Sequence, residues 1–141
     1  MTFKSYRMAA VVAIVALVLT AWNSAPVHAQ SLTMRVNIPF TFHVGVKSLP
    51  PGTYLVRKTG DALKIADRLN SAMVMSTAVT NRAPNGDDRL IFNRYADQYF
   101  LSEVRWSGYS EARGLTKSKV ELEVARTLGI PERVQTAGVG R

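Results

Sequence analysis

The sequence contains no cysteine, which excludes disulfide bonds, thiol catalysis and thiolate metal sites. Histidine is scarce as well, and His43 is the only one beyond residue 29. His43 has no Cys, His or carboxylate near it at the spacing of a metal site, and it is the only base available for a Ser-His-Asp triad. Neither a Gly-x-Ser-x-Gly motif nor a glycine-rich phosphate loop is present. We therefore predict that the protein is not an enzyme and holds no cofactor or metal.

Acidic residues are few: 10 Asp and Glu stand against 18 Lys and Arg, for a net charge of +8. The cations are scattered without a run of three, which is more typical of a solvated surface than of a binding footprint. A basic protein nevertheless favours acidic partners, and the uncharged run Met8–Trp22, which follows two N-terminal cations, indicates export to the cell envelope. We predict an envelope protein or an anionic polymer as the partner, and no nucleic acid.

Charge is also missing from a long N-terminal run, Met8–Trp22, which follows Lys4 and Arg7. A short, more polar stretch then ends in small residues at Ala29. This is the pattern of a cleaved secretory signal peptide over residues 1–29. The run of 15 residues is shorter than the ~20 that span a bilayer. We therefore predict export to the periplasm or the outside, with no transmembrane span after cleavage.

The predicted mature chain, Gln30–Arg141, has 112 residues and a net charge of +6, because two cations leave with the signal. This length suits one domain with a proper core. We predict a single β-domain with a C-terminal helix over residues 30–128 and a disordered, glycine-containing tail over residues 129–141.

Residues 34–44 alternate between apolar and polar side chains. The apolar set occupies every second position: Met34, Val36, Ile38, Phe40, Phe42 and Val44. Period-2 alternation predicts a strand that packs this set into a core. The intervening side chains face water or a partner, and four of them are candidate partner-facing residues: Arg35, Asn37, Thr41 and His43.

Five further strands are predicted, over Thr53–Lys58, Ala62–Ala66, Ala72–Thr80, Arg89–Tyr95 and Tyr99–Trp106. Turn-forming residues separate them, including Asn85-Gly86, a strong hairpin signal. We predict a mainly β fold, an antiparallel six-stranded meander that forms a small barrel or a sandwich.

The period changes near the C-terminus. Ser118 and Glu121 form a capping-box pattern that predicts one helix, about Lys117–Thr127. Three apolar residues recur at helical spacing and are expected to lie against the sheet or over its open end: Val120, Val124 and Leu128.

Two segments carry a family resemblance: Ile38-Pro-Phe-Thr-Phe-His-Val-Gly45 and Leu49-Pro-Pro-Gly-Thr-Tyr-Leu-Val56. With the later Leu90–Tyr95 and Leu115–Lys119 segments, the chain resembles a group of small exported bacterial β-rich proteins of unknown function. Their shared start is PF-x-F-x-V-G followed by LP-x-G-x-Y-x-V. The resemblance covers nearly all of the mature chain and implies a signal peptide and a mainly β domain, but no activity, ligand or catalytic residue.

The leading hypothesis is a non-catalytic exported β-domain that acts as an envelope interaction or structural module. One alternative is a binding protein for a small apolar ligand, in a barrel cavity lined by flexible and aromatic side chains: Met73, Met75, Phe92 and Phe100. Another is a secreted hydrolase that uses a carboxylate pair from Asp97, Glu103 and Glu111.

Overall fold

A computed structural model describes residues 31–80 and 82–140, so the predicted signal peptide lies outside the described residues. Within these ranges the chain forms eleven strands and one helix. In chain order they are β1 (Thr33–Ile38), β2 (Phe42–Val44), β3 (Lys47–Leu49), β4 (Gly52–Thr59), β5 (Ala62–Ala66), β6 (Ser71–Met75), β7 (Thr77–Thr80), β8 (Arg89–Tyr95), β9 (Gln98–Arg105), β10 (Glu111–Gly114), α1 (Lys119–Leu128) and β11 (Glu132–Gly140). The predicted mainly β class with one helix is confirmed.

The strands form one sheet that curls into a nearly closed barrel. Its main path runs β9–β8–β11–β1–β4–β5–β6. The chain then passes through Ser76 into β7, which pairs with β10, and β10 pairs back onto β9. The bend at Ser76 therefore carries the sheet round to its starting strand, and this is why Ala72–Thr80 forms two strands instead of the single one predicted.

The prediction of six antiparallel strands is wrong in number and in direction. The first predicted strand is divided at Pro39, which lacks a backbone N–H, into β1 and β2. β1 lies between β11 and β4, whereas β2 pairs with β3 and runs parallel to β9, so the sheet is mixed. Two further strands, β3 and β10, form outside the segments that the sequence predicted as strands.

The prediction of a disordered tail is also wrong over Glu132–Gly140, because these residues form β11. This strand lies between β8 and β1 and is antiparallel to both. At Gly138 a Cβ would come within 3.0 Å of the Met34 Sδ and Val36 Cγ2 atoms. Glycine there lets β11 approach β1 closely enough to pair.

The apolar side chains of β1 and β2 lie inside the barrel, as their alternation predicted. Five of the six are buried, and Phe40 is half-buried at the edge of the core. Phe42 packs edge-on against Tyr54 and Phe92, with ring centroids 5.2 and 5.6 Å apart. Side chains from β4, β5, β8 and β9 join this cluster: Tyr54, Val56, Leu63, Ile65, Leu90, Phe92, Leu101 and Val104.

Helix α1 begins as predicted, with the Ser118 Oγ accepting a hydrogen bond from the Glu121 N–H at 3.2 Å. Its orientation differs from the predicted stripe, because Glu121 is buried while Val120 and Leu128 are exposed. Within the described residues, no helix has the length and apolar character needed to span a membrane.

Candidate functional site

The outer surface of β1, β4, β5 and β6 concentrates unpaired positive charge. Arg35, Arg57 and Lys64 are exposed there, while the large apolar side chains at the alternate positions of the same strands are buried in the barrel. We call this surface, with the outward-facing Met73 and Met75 of β6, the cationic face. Three strand intervals of ~4.8 Å make it about 15 Å wide.

The strand register aligns the members of the cationic face in rows. Arg57 lies opposite Thr33 on one side and opposite Lys64 on the other, and Lys64 lies opposite Met73. Cβ atoms of directly opposed residues are about 4.5–5.5 Å apart, and like charges in such pairs are destabilising. The Arg57–Lys64 pair therefore carries a local cost.

No carboxylate compensates these charges within the four strands. β1, β4, β5 and β6 contain no Asp or Glu. Within residues 31–80 and 82–140, no ion pair involves Arg35, Arg57 or Lys64. The cationic face therefore presents three charges that are available to an acidic partner.

Exposed apolar side chains border these cations. Met73 and Met75 are 67% and 69% exposed, and Val139, which lies opposite Arg35 in the register, is 75% exposed. The two methionines point outward because Ala72 and its alternate neighbours pair with inward residues of β5. Flexible thioether side chains suit adaptable apolar contacts.

The four predicted partner-facing residues do not form one surface. Arg35 and Asn37 are exposed on β1, whereas Thr41 is exposed in the β1–β2 connection and His43 is half-buried on β2. β1 and β2 are not neighbours in the sheet. Only the β1 pair belongs with the cationic face, and partner binding by any of the four stays a prediction.

The prediction that Met73, Met75, Phe92 and Phe100 line one cavity is wrong. Both methionines are exposed on the outside of β6, Phe92 packs in the barrel core, and Phe100 lies outside that core. A β-bulge between β8 and β9 causes Phe100 to lie outside the core. Ile91 pairs with Glu103 and Phe92 with Leu101, which skips a residue and reverses the inward side of β9.

The candidate carboxylates lie on three different elements, and two of them are paired with arginine. Glu103 on β9 accepts hydrogen bonds from Arg105 at 2.6 Å and Arg133 at 3.0 Å. Glu111 on β10 accepts from Arg113 at 3.1 Å, and the third, Asp97, is exposed in the β8–β9 turn. Among the described residues, no group of three or more His, Cys, Asp or Glu is arranged to hold a metal ion.

A second polar cluster lies on β8, beneath α1. The buried carboxylate of Glu121 accepts hydrogen bonds from the Asn93 side-chain amide at 2.8 Å and the Tyr95 hydroxyl at 3.3 Å. Tyr95 also contacts Phe100, on which the His43 imidazole stacks at 4.6 Å between ring centroids. Burial lowers the pKa of His43. The two hydrogen bonds to Glu121 hold the helix on the barrel.

Arg113 closes the barrel at the end where β6 bends into β7. Its buried guanidinium donates to the Ser76 Oγ at 3.2 Å, to the Gly60 carbonyl at 3.2 Å and to the carboxylates of Asp61 and Glu111. Since each of its donor nitrogens has an acceptor, we interpret Arg113 as a structural link between β10, the Ser76 bend and the β4–β5 turn.

The opposite end of the β5–β6 hairpin is held by Asp67. Its carboxylate accepts from the backbone N–H groups of Asn70 and Leu69, which lower the pKa of Asp67. The nearby buried Tyr54 hydroxyl donates to the Pro50 carbonyl at 2.6 Å. Burial, followed by the charge of Asp67, raises the pKa of Tyr54. These turns position β6, and thus Met73 and Met75, on the cationic face.

The chain matches no protein-family model, no curated protein and no solved structure.

Part of the cationic face could be predicted from the sequence. Arg35 follows directly from the alternation in β1, and Arg57 and Lys64 occupy the polar positions of their predicted strands. Their juxtaposition did not follow, because it depends on the order and register of β1, β4, β5 and β6.

Proposed function

We propose that the protein is a non-catalytic, exported β-domain that acts as an interaction module in the cell envelope and holds an acidic partner with its cationic face. The observation that carries the proposal is the row of opposed, unpaired charges formed by Arg57 and Lys64, with Arg35 on the neighbouring strand. A protein of modest stability retains such a repulsive pair at a cost. An acidic partner offsets that cost when it binds.

The distribution of apolar side chains supports a role for the outer surface. The inward side chains of the barrel strands pack against one another, and the flexible methionines offered by β6 point outward. Recognition through an outer sheet face needs no cavity. It requires a complementary charge on the partner and exposure of the face.

The test compares two variants of equal net charge. Arg35→Gln, Arg57→Gln and Lys64→Gln together neutralise the cationic face, whereas Arg82→Gln, Lys117→Gln and Lys119→Gln neutralise three exposed cations outside the four strands. Retention on immobilised polyglutamate is measured in a salt gradient. We expect the face variant to elute at clearly lower salt than the control variant, since a specific face and not net charge determines binding.

Equal elution of the two variants would contradict the proposal. That result would mean that net charge alone determines retention and that Arg35, Arg57 and Lys64 have no special role.

A further inference from the structure

We propose that the acidic partner is the surface of an anionic lipid bilayer, with Arg35, Arg57 and Lys64 at the lipid phosphates and Met73 and Met75 between the head groups. This inference rests on the proposed function, because it assigns a partner to the same cationic face.

The charges meet the electrostatic requirement for such a surface. Three cations lie on adjacent strands, and no Asp or Glu occurs in β1, β4, β5 or β6 to repel lipid phosphates. Each Lys or Arg held near an anionic membrane surface contributes about fivefold to binding. Long Lys and Arg side chains also let the charged groups reach phosphates while their methylene stems lie along apolar surface.

The methionines distinguish a bilayer from a soluble acidic polymer. Met73 and Met75 are 67% and 69% exposed, and Met73 lies directly opposite Lys64 in the register. A hydrated anionic polymer offers phosphates or carboxylates but little apolar volume to two thioether side chains. The head-group and acyl boundary of a bilayer offers both, in the arrangement used by interfacial proteins with a basic and an apolar component.

The position of the methionines is also consistent with a sheet face that rests on a membrane. They belong to β6, at one end of the strand path, while Val139 lies opposite Arg35 on β11 and is 75% exposed. Apolar side chains therefore border the cations on both sides. A face of this kind gains from removing apolar surface from water as well as from charge pairing.

The experiment uses the chain that starts at Gln30, because all the described strands and the helix lie within residues 31–140. Co-sedimentation is measured with vesicles of equal parts phosphatidylglycerol and phosphatidylcholine, with vesicles of phosphatidylcholine alone, and with soluble polyglutamate as a competitor. Circular dichroism verifies that each variant keeps its β fold.

We expect binding to the anionic vesicles and not to phosphatidylcholine alone. The Arg35→Gln, Arg57→Gln, Lys64→Gln variant weakens binding by about a hundredfold, at about fivefold per charge, and by clearly more than the Arg82→Gln, Lys117→Gln, Lys119→Gln control.

A second pair of variants tests the apolar component. Met73→Ser with Met75→Ser weakens vesicle binding by about tenfold and leaves retention on polyglutamate unchanged. The matched control, Val46→Ser with Ile130→Ser, removes two exposed apolar side chains outside the cationic face and leaves vesicle binding unchanged.

Two results would overturn the inference in distinguishable ways. Retention on polyglutamate that depends on the face, with no binding to anionic vesicles or no effect of the methionine pair, would exclude the bilayer and leave the proposed function standing. Equal loss in the face and control variants on both polyglutamate and vesicles would overturn the proposed function as well.

Discussion

At the scale of single residues, the opposed pair of Arg57 and Lys64 is the feature most informative about function. Directly opposed like charges on a sheet weaken it, and here no carboxylate of the same four strands offsets the repulsion. Under the proposed function, local stability favours the loss of one of these two charges, whereas partner binding requires both.

The charge reversal Lys64→Glu tests this conflict. It converts the repulsive pair with Arg57 into an attractive one, so we expect the free energy of unfolding to rise by about 0.2–1 kcal/mol in urea denaturation. Retention on polyglutamate should fall in the same protein. Arg82→Glu makes the same change of charge outside the strands and serves as the control. A loss of stability in Lys64→Glu would show that the opposed charges carry no cost.

His43 gives the fold a predicted dependence on pH. Burial beside Phe100 lowers its pKa in the folded state below 6.5. The unfolded chain therefore takes up this proton first as the pH falls, and the free energy of unfolding decreases from about pH 6.5 down to the pKa of the folded state. Above that window the full stability is present.

His43→Phe keeps a ring on Phe100 and removes the titration. The stability of the wild type relative to this variant should be constant above pH 6.5 and should fall below it, as measured by urea denaturation across the range. Parallel stability curves for the two proteins would show that His43 does not titrate differently on folding.

At the scale of elements, helix α1 depends on a polar contact where the sequence predicted an apolar one. Glu121→Ala leaves the Asn93 amide and the Tyr95 hydroxyl without their acceptor, so we expect a loss of about 1–3 kcal/mol in unfolding free energy. Glu123→Ala removes an exposed carboxylate from the same helix and should change stability by less than about 0.5 kcal/mol. Equal effects would mean that Glu121 does not hold the helix.

The burial of Glu121 explains why the predicted stripe failed. Val120, Val124 and Leu128 have helical spacing, yet the line that meets the sheet passes through Glu121, Val124 and Ala125. Hydropathy gives a carboxylate no weight as a buried residue. Its hydrogen-bond partners, Asn93 and Tyr95, are 28 and 26 residues away in the chain, so no local sequence pattern predicts these contacts.

Strand β11 was missed for a different physical reason. Its inward side carries Val134, Thr136 and Gly138, which lack the apolar alternation that reveals β1. The pairing of β11 with β1 depends instead on a small residue at the contact, since Gly138 lies where a Cβ would clash with Met34. Apolar alternation predicted the strands whose inward side chains are large. It cannot predict a strand such as β11, whose inward side chains are small.

Removal of β11 tests its role directly. A chain that ends at Pro131 loses the strand between β8 and β1, so we expect it to lose cooperative thermal unfolding. A chain that lacks only Arg141 is the control and should unfold like the wild type. An unchanged transition in the shorter chain would restore the interpretation of these residues as a dispensable tail.

At the scale of the whole molecule, the barrel separates two roles. Its interior supplies the packing that holds the fold without disulfides, and its outside presents unequal surfaces, with α1 over β8 and the cationic face over β1, β4, β5 and β6. The sequence allowed a barrel or a sandwich. The choice depends on the bend at Ser76 and the Arg113 contacts, which join segments 37 residues apart.

The most direct measurement follows the methionine methyl groups of the chain from Gln30, whose methionines are Met34, Met73 and Met75. With ¹³C-methyl labelling, the protein is titrated with anionic nanodiscs that carry a paramagnetic lipid. We predict that the signals of Met73 and Met75 broaden strongly while that of Met34, buried in the barrel, persists. Unchanged signals for Met73 and Met75, or equal broadening of all three, would contradict binding through the cationic face.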